Sequence, residues 1–325
     1  MSPNGDRPVM NSISGIDLRH DNLFPTRDLL AAGQTHKSIA AMLRSSVLHR
    51  VRHGAYTYAA HWNELDDVGK RMLVAHAVLL NARAPVALAG PSAADVLGVP
   101  VWQMGNEVHL ARLDGKAGRR EAGRVEHRGH TVCEDVTIRN GIPVTSGTRT
   151  AVDVIALADT EHALVTVNGL LYAKETSMEL IQRRIETMTY DPHTLNAPVV
   201  LGLADGRCES AGETRTVCLC RRHRLPMPIP QVEIRNRSGK VVARVDFAWP
   251  ELGAFAEFDG NVKYLRLRRP GESIEETVLR EKRREELICG LTGWRCIRIT
   301  WADLHRPERT AARIRATLNG VPWAE

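Results

Sequence analysis

VDFAWPELGAFAEFDGNVKY, Val245–Tyr264, is the stretch on which the architecture of the C-terminal part turns. Apolar and polar residues alternate on both sides of PELG, the pattern of two half-buried strands joined by a tight turn. With a four-residue loop centred between Glu251 and Leu252, facing residues carry numbers that total 503. Asp246 then stands opposite Glu257, and Arg244 opposite Asp259. Directly opposed residues have Cβ atoms about 4.5–5.5 Å apart, and like charges there repel. Two carboxylates so placed call for a cation between them, and carboxylate oxygens completed by water are what Mg2+ takes. Arg244 and Asp259 read more simply, as a cross-strand ion pair. A purely structural account also exists, in which the charges of this hairpin, like Glu281, Lys282, Glu285 and Glu286 beyond it, only face solvent.

Working outward, the segment from Gly206 reads helix, strand, strand, strand, helix, strand, helix. ESAGETRTVCLCRRHRL is the first helix, PIPQVEIRN and KVVARVDFAW are strands, and GAFAEFDG is the third. IEETVLREKRREELICGL is a charged helix with Arg283 and Arg284 on its solvated face; WRCIRITW is a strand, and a final helix follows Asp303. This is a mixed α/β domain with a mixed sheet. Cys208, Cys218 and Cys220 with His223 suggest a zinc cluster on paper, but C-x-C on an apolar helix face reads as packing.

SAGETRT, ARVDFAWPE, AEFDGNVKY, REKRREEL and GWRCIRITW, in that order, resemble the PD-(D/E)XK nuclease superfamily, and within it the very-short-patch-repair-like endonucleases. The resemblance runs from about Cys208 to Trp301 and implies a restriction-endonuclease-like domain in which Glu213, Asp246 and Glu257 bind Mg2+ (or Mn2+) for phosphodiester hydrolysis. The family's lysine, two positions after the second-strand acid, is absent: Asp259 stands there. Lys263 or Lys282 is the candidate replacement, and Arg266, Arg268 and Arg269 the candidate phosphate contacts.

The N-terminal part has a different grammar. In FPTRDLLAAGQTHKSIAAMLRSSVLHRVRHGAYT, Phe24–Thr57, Thr26 and Thr35 are candidate caps of two short helices separated by a glycine-containing turn. VLHRVRHGAYT then reads as a hairpin turning at Gly54. A winged helix-turn-helix is expected, with Lys37, Arg44, Arg50, Arg52 and His53 toward DNA. Residues 67–82 form another helix. Short strands and a helix opened by Ser92 follow, and TSGTRTAVDVIALA starts a helix in which Arg149 pairs with Asp153. His127, His130 and Cys133 fall on an alternating strand without a second ligand cluster, so metal binding there is disfavoured. GPSAADVLGVPV and GIPVTSGTRTAVDVIAL, placed after a winged helix, resemble the AbiEi family of type IV toxin–antitoxin and abortive-infection antitoxins. That resemblance implies operator binding by the winged helix, an α+β antitoxin-like domain, and a cognate toxin as partner.

The expected architecture is therefore an α/β multidomain protein: a winged helix-turn-helix over 1–82, an AbiEi-like α+β domain and helical linker over 83–200, and a nuclease-like domain over 201–325. Two functions fit it. One is a DNA-binding, Mg2+-dependent endonuclease in phage defence or a toxin–antitoxin system. The other is a non-catalytic antitoxin and autorepressor whose nuclease-like domain is inactive. A net charge of +6 permits an anionic partner without demanding one. No run of 18 apolar residues calls for a membrane span. The N-terminus lacks an apolar signal segment, and six cysteines contain no CxxC pair; both point to a cytoplasmic chain with reduced thiols.

Overall fold

The computed structural model describes residues 22–127, 133–188, 195–260 and 273–323. The chain is mixed α/β and divides into two compact units. One comprises the residues up to Val96 with Gly105–Ser146; the other comprises Leu97–Met104 with everything from Gly147 onward.

In the first unit β1 (Phe24–Pro25) runs directly into α1 (Thr26–Ala31), and α2 (His36–Arg44) precedes the hairpin of β2 (Leu48–Arg52) and β3 (Ala55–Tyr58). Thr35 caps α2 in a reciprocal box with Ser38, as its position predicts. Thr26 does not cap α1. Pro25 is held in the sheet opposite Ala55, so Thr26 is already helical and its N–H goes to the carbonyl of Gly54 at 2.9 Å. Phe24, Leu29, Ile39, Leu48 and Tyr56 form the small core beneath these elements. Gly54 turns the hairpin at φ +78, a left-handed conformation that glycine adopts without a Cβ penalty.

After α3 (Ala59–Glu64) and α4 (Asp67–Leu80) come β4 (Val86–Leu88), α5 (Gly90–Val96), β5 (Val108–Arg112), β6 (Arg120–Glu121), β7 (Arg124–His127), β8 (Val136–Arg139) and β9 (Ile142–Thr145). These strands make a mixed six-stranded sheet in the order β6-β7-β5-β4-β9-β8, with β4–β9 and β5–β7 parallel. Ser92 does not open α5, which starts at Gly90; its hydroxyl accepts the N–H of His109 at 3.0 Å and so ties the helix to β5.

The second unit contains α6 (Gly147–Leu157), α7 (Thr160–Tyr172), α8 (Met178–Glu186), α9 (Ala197–Leu203) and α10 (Ala211–Arg222), then β10 (Ile229–Arg235), β11 (Val241–Trp249) and β12 (Ala254–Asp259). It closes with α11 (Ile274–Thr292), β13 (Arg295–Thr300), α12 (Trp301–Leu304) and α13 (Pro307–Leu318). The sheet order is β10-β11-β12-β13, antiparallel except for β13 beside β12. Val217, Leu219, Ile314 and Leu318 of α10 and α13 pack on Phe247, Ala256, Phe258 and Ile299. Ile288 of α11 packs with Val245, Phe255 and Ile234 in a separate cluster, so helices cover both faces.

Buried polar groups and stacked rings tie the helices of this unit together. Asn168 of α7, 1% exposed, donates to Thr214 of α10 at 3.1 Å and accepts the N–H of Asp205 at 2.9 Å. Arg149 pairs with Asp153 at 2.8 Å as expected. The short segment Leu97–Met104 joins the second unit through Trp102, which stacks on Trp301 at 4.9 Å under the guanidinium of Arg215. Among the described residues no helix is long and apolar enough to cross a membrane.

Candidate functional site

The opening hairpin closes as its alternation predicts. PEL forms a single tight turn, Gly253 takes φ +58, and the paired residues are Trp249↔Ala254, Ala248↔Phe255 and Phe247↔Ala256, all in the register that totals 503. The ladder stops there. β11 continues toward its N-terminus paired with β10, while β12 continues to Asp259 paired with β13. The two strands fork, and Asp246 and Glu257 are the first residues past the last ladder pair. They are next in register, and not the ladder partners that alternation predicts. Asp246 turns its carboxylate onto β12, where Oδ2 accepts the N–H of Phe258 at 2.8 Å. A side chain thus supplies the acceptor that the diverging strand withdraws.

Glu213, in the first turn of α10, enters the same place from the helical face. Gly212 beside it permits the approach, since a Cβ there would lie 2.0 Å from the Phe258 ring. Only 3% exposed, the Glu213 carboxylate accepts from Ser210 Oγ at 2.7 Å, from the Glu209 N–H at 3.0 Å and from Gln231 Nε2 at 3.0 Å. Burial, with the charge of Asp246 nearby, pushes its pKa up; the three donors pull the other way. Gln231 reaches it from within β10 at φ +52, a left-handed backbone that costs a non-glycine residue about 1 kcal/mol. Sequence pattern carries no signal for that contact.

Glu257 is 6% exposed, and its Oε1 lies 3.0 Å from Nη2 of Arg284 on α11. Charge patterning alone places Arg284 on a solvated face. In fact it is the cation at this carboxylate, because α11 rolls to bury Ile288 and carries position 284 inward one turn earlier. Lys282, two residues and about 200° away, is exposed on the other side of the helix. Asp259 does not meet Arg244. It pairs with Arg298 of β13 at 2.8 Å, Arg298 also binds Glu285, and Arg244 pairs with Glu209 at 2.8 Å. Divergence of the strands past the fork separates the two residues that a continuous ladder would have opposed. Lys263, Arg266, Arg268 and Arg269 lie outside the described residues.

In the first unit, Lys37 and Arg44 are exposed on α2, seven residues apart and hence on one face, and Arg50 and His53 are exposed on the hairpin. Arg52 is not available in the same way: it is half-buried and donates to the carbonyl of Ala122, in the turn between β6 and β7, at 3.0 Å. His127 stacks on His109 with Nδ1 and Nε2 2.8 Å apart; His130 and the Cys133 side chain lie outside the described residues. Cys218 and Cys220 are buried thiols pushed up to about 12 by desolvation, as is Cys208, which is packing chemistry and not a thiolate cluster.

Carboxylates are the right donors for Mg2+ or Mn2+, yet each of the three is already held: Glu213 by three protein donors, Asp246 by a backbone N–H, Glu257 by a guanidinium. Among the described residues no group of three or more His, Cys, Asp or Glu side chains is placed to hold a metal ion. As arranged, the fork does not fit a divalent cation.

No family model matches the chain. The crystal structure of the RV2827C protein from Mycobacterium tuberculosis aligns with a TM-score of 0.38 at 16% identity, over 55% of this chain and 71% of that one, a likeness too weak to carry an argument. Two curated proteins of the same organism, Uncharacterized protein MT2308 and Uncharacterized protein Rv2248, are each 30% identical over 297 residues, spanning 89% of this chain and 99% of theirs. The chain belongs to the family of these two mycobacterial proteins.

Proposed function

We propose that this is a DNA-binding protein whose first unit docks as a winged helix-turn-helix, with α2 in the major groove and the β2–β3 hairpin as the wing. One observation carries the reading: Lys37, Arg44, Arg50 and His53 are all exposed while the apolar residues of the same elements are buried together. Cations on a helix face beside a hairpin suit a phosphate-lined groove. The resemblance of the first half to AbiEi antitoxins supports a phage-defence or toxin–antitoxin setting, with a cognate toxin as partner. Fluorescence anisotropy with labelled duplex DNA tests it. Lys37→Glu combined with Arg44→Glu weakens binding and flattens its salt dependence, by about one unit of slope for each phosphate that is no longer neutralised. Unchanged affinity in a folded double variant would sink the proposal.

A second activity, hydrolysis of DNA phosphodiesters by the second unit, is favoured by the gathering of Glu213, Asp246 and Glu257 at the fork. A buried carboxylate raised by desolvation and by a neighbouring carboxylate, as Glu213 is by Asp246, is the kind of group that clusters at functional sites. Nicking of plasmid DNA in Mg2+ or Mn2+ that is abolished in Asp246→Ala and in Glu257→Ala would establish this activity, and would require the fork to rearrange from the state described above. If the wild type cuts no DNA, the second unit belongs to a non-catalytic antitoxin and autorepressor.

A further inference from the structure

The fork holds a cation that belongs to the protein itself. Nη2 of Arg284 lies 3.0 Å from Glu257 Oε1 on β12 and also donates to the carbonyl of Arg244 on β11. One guanidinium therefore bridges an acceptor on each arm, just where the ladder has ended. The two partners differ in reach: the Arg284 side chain is 31% exposed, whereas Glu257 beneath it is 8% exposed. An anion arriving from solvent meets the guanidinium before it meets the carboxylate. Arg283, exposed and next to Arg284 on α11, adds positive charge to that approach.

We propose that Arg284 is the phosphate-binding residue of the fork, parked on Glu257 until a nucleic-acid phosphate replaces that carboxylate as its partner. The inference rests on the reading of the fork as a place where a DNA backbone is handled. No covalent bond changes: one ion pair with a carboxylate, whose buried Oε1 makes no well-formed hydrogen bond, is exchanged for one or two charge-assisted hydrogen bonds to a phosphate, for which a planar guanidinium is well shaped. It also explains why the carboxylates as arranged do not fit a divalent cation, since the guanidinium already neutralises Glu257. Once Arg284 leaves, Glu257 regains its net negative charge, so DNA and a divalent cation would favour the same departure of the guanidinium.

The test uses the full chain in two measurements. With labelled duplex DNA in EDTA, Arg284→Gln weakens binding about tenfold and lowers the salt slope by about 0.9. Glu257→Gln frees the guanidinium and tightens binding, and that gain vanishes when Arg284→Gln is already present. A gain from Glu257→Gln that persists in the Arg284→Gln background overturns the proposal, because a general charge effect would then suffice. So does a shift of the two single variants in the same direction. In the second measurement, electron paramagnetic resonance of free Mn2+ with protein alone shows binding about tenfold tighter in Arg284→Gln than in wild type; equal binding overturns the competition. Arg284→Lys, which keeps the charge and loses the planar fork, serves if the glutamine variant does not fold, and recovers only part of the DNA affinity. These shifts without plasmid nicking remove hydrolysis and leave Arg284 in its role; nicking without them does the reverse.

Discussion

Gly212→Ala probes the seat of α10 on the sheet, the packing that brings Glu213 to the fork. A Cβ at 212 would lie 2.0 Å from Cε1 and 2.1 Å from Cζ of Phe258, far inside the roughly 3.5–4 Å of an ordinary carbon contact. The ring has nowhere to go: Phe258 is 3% exposed and meets Trp301 edge-on at 5.1 Å. Either α10 lifts from β12 or the ring leaves its rotamer. Overpacking of this kind costs about 1–3 kcal/mol, and a rigid ring places it at the upper end. Helix propensity returns up to about 1 kcal/mol for Gly→Ala, so the expected net loss is about 2 kcal/mol. For a unit of this size that is a fall in Tm of roughly 4–8 °C. Calorimetry on the wild type, Gly212→Ala, Phe258→Leu and the double variant reads it out. Phe258→Leu removes the obstacle, so the double variant should be more stable than the two losses added together, by about 1 kcal/mol or more. A Tm within about 1 °C of wild type for Gly212→Ala, or strict additivity in the double variant, would refute the seating of α10 described above.

Other expectations are simpler. Thr35→Ala removes the side-chain acceptor at the start of α2, 3.1 Å from the Ser38 N–H, and should cost about 1 kcal/mol in thermal unfolding while Thr26→Ala costs less. Arg71→Ala leaves Asp95, 8% exposed and now bound by two guanidinium bonds of 2.9 and 2.7 Å, without its cation; a loss of about 3 kcal/mol is expected by denaturant titration, and much less for the pair replaced together by apolar residues. His109 is depressed to about 4, by burial first and by the neighbouring His127 second. A depressed pKa contributes stability that is present above the ordinary value of about 6.5 and is lost as pH falls through about 4. The first unit should therefore lose on the order of 3 kcal/mol across that window, and His109→Gln should flatten the profile; a wild-type Tm constant across it would contradict the assignment.

The local grammar of this chain was legible in one dimension. Alternation around PELG set the register that totals 503, Thr35 announced α2, and the order of helices and strands in the second unit follows its runs of hydrophobic and breaker residues. These features depend on neighbours a few residues apart, whose backbone geometry repeats with fixed periods. Where the ladder ends is a different matter. Strand pairing past Phe247 and Ala256 is decided by which neighbour, β10 or β13, each strand follows, and by helices packing on both faces. Asp246 and Glu257 therefore sit at a fork that alternation alone extends into a ladder. The long cations were the least legible. Arg52, Arg244, Arg284 and Arg298 each have several acceptors within the span of a flexible side chain, and their sequence neighbours do not choose among them. The roll of α11 that buries Ile288 gave Arg284 to Glu257, and the adjacency of β13 gave Arg298 to Asp259. Sequence alone determined the elements and the hairpin register; only the tertiary structure decided which charges meet, because those partners are brought together by packing between segments distant along the chain.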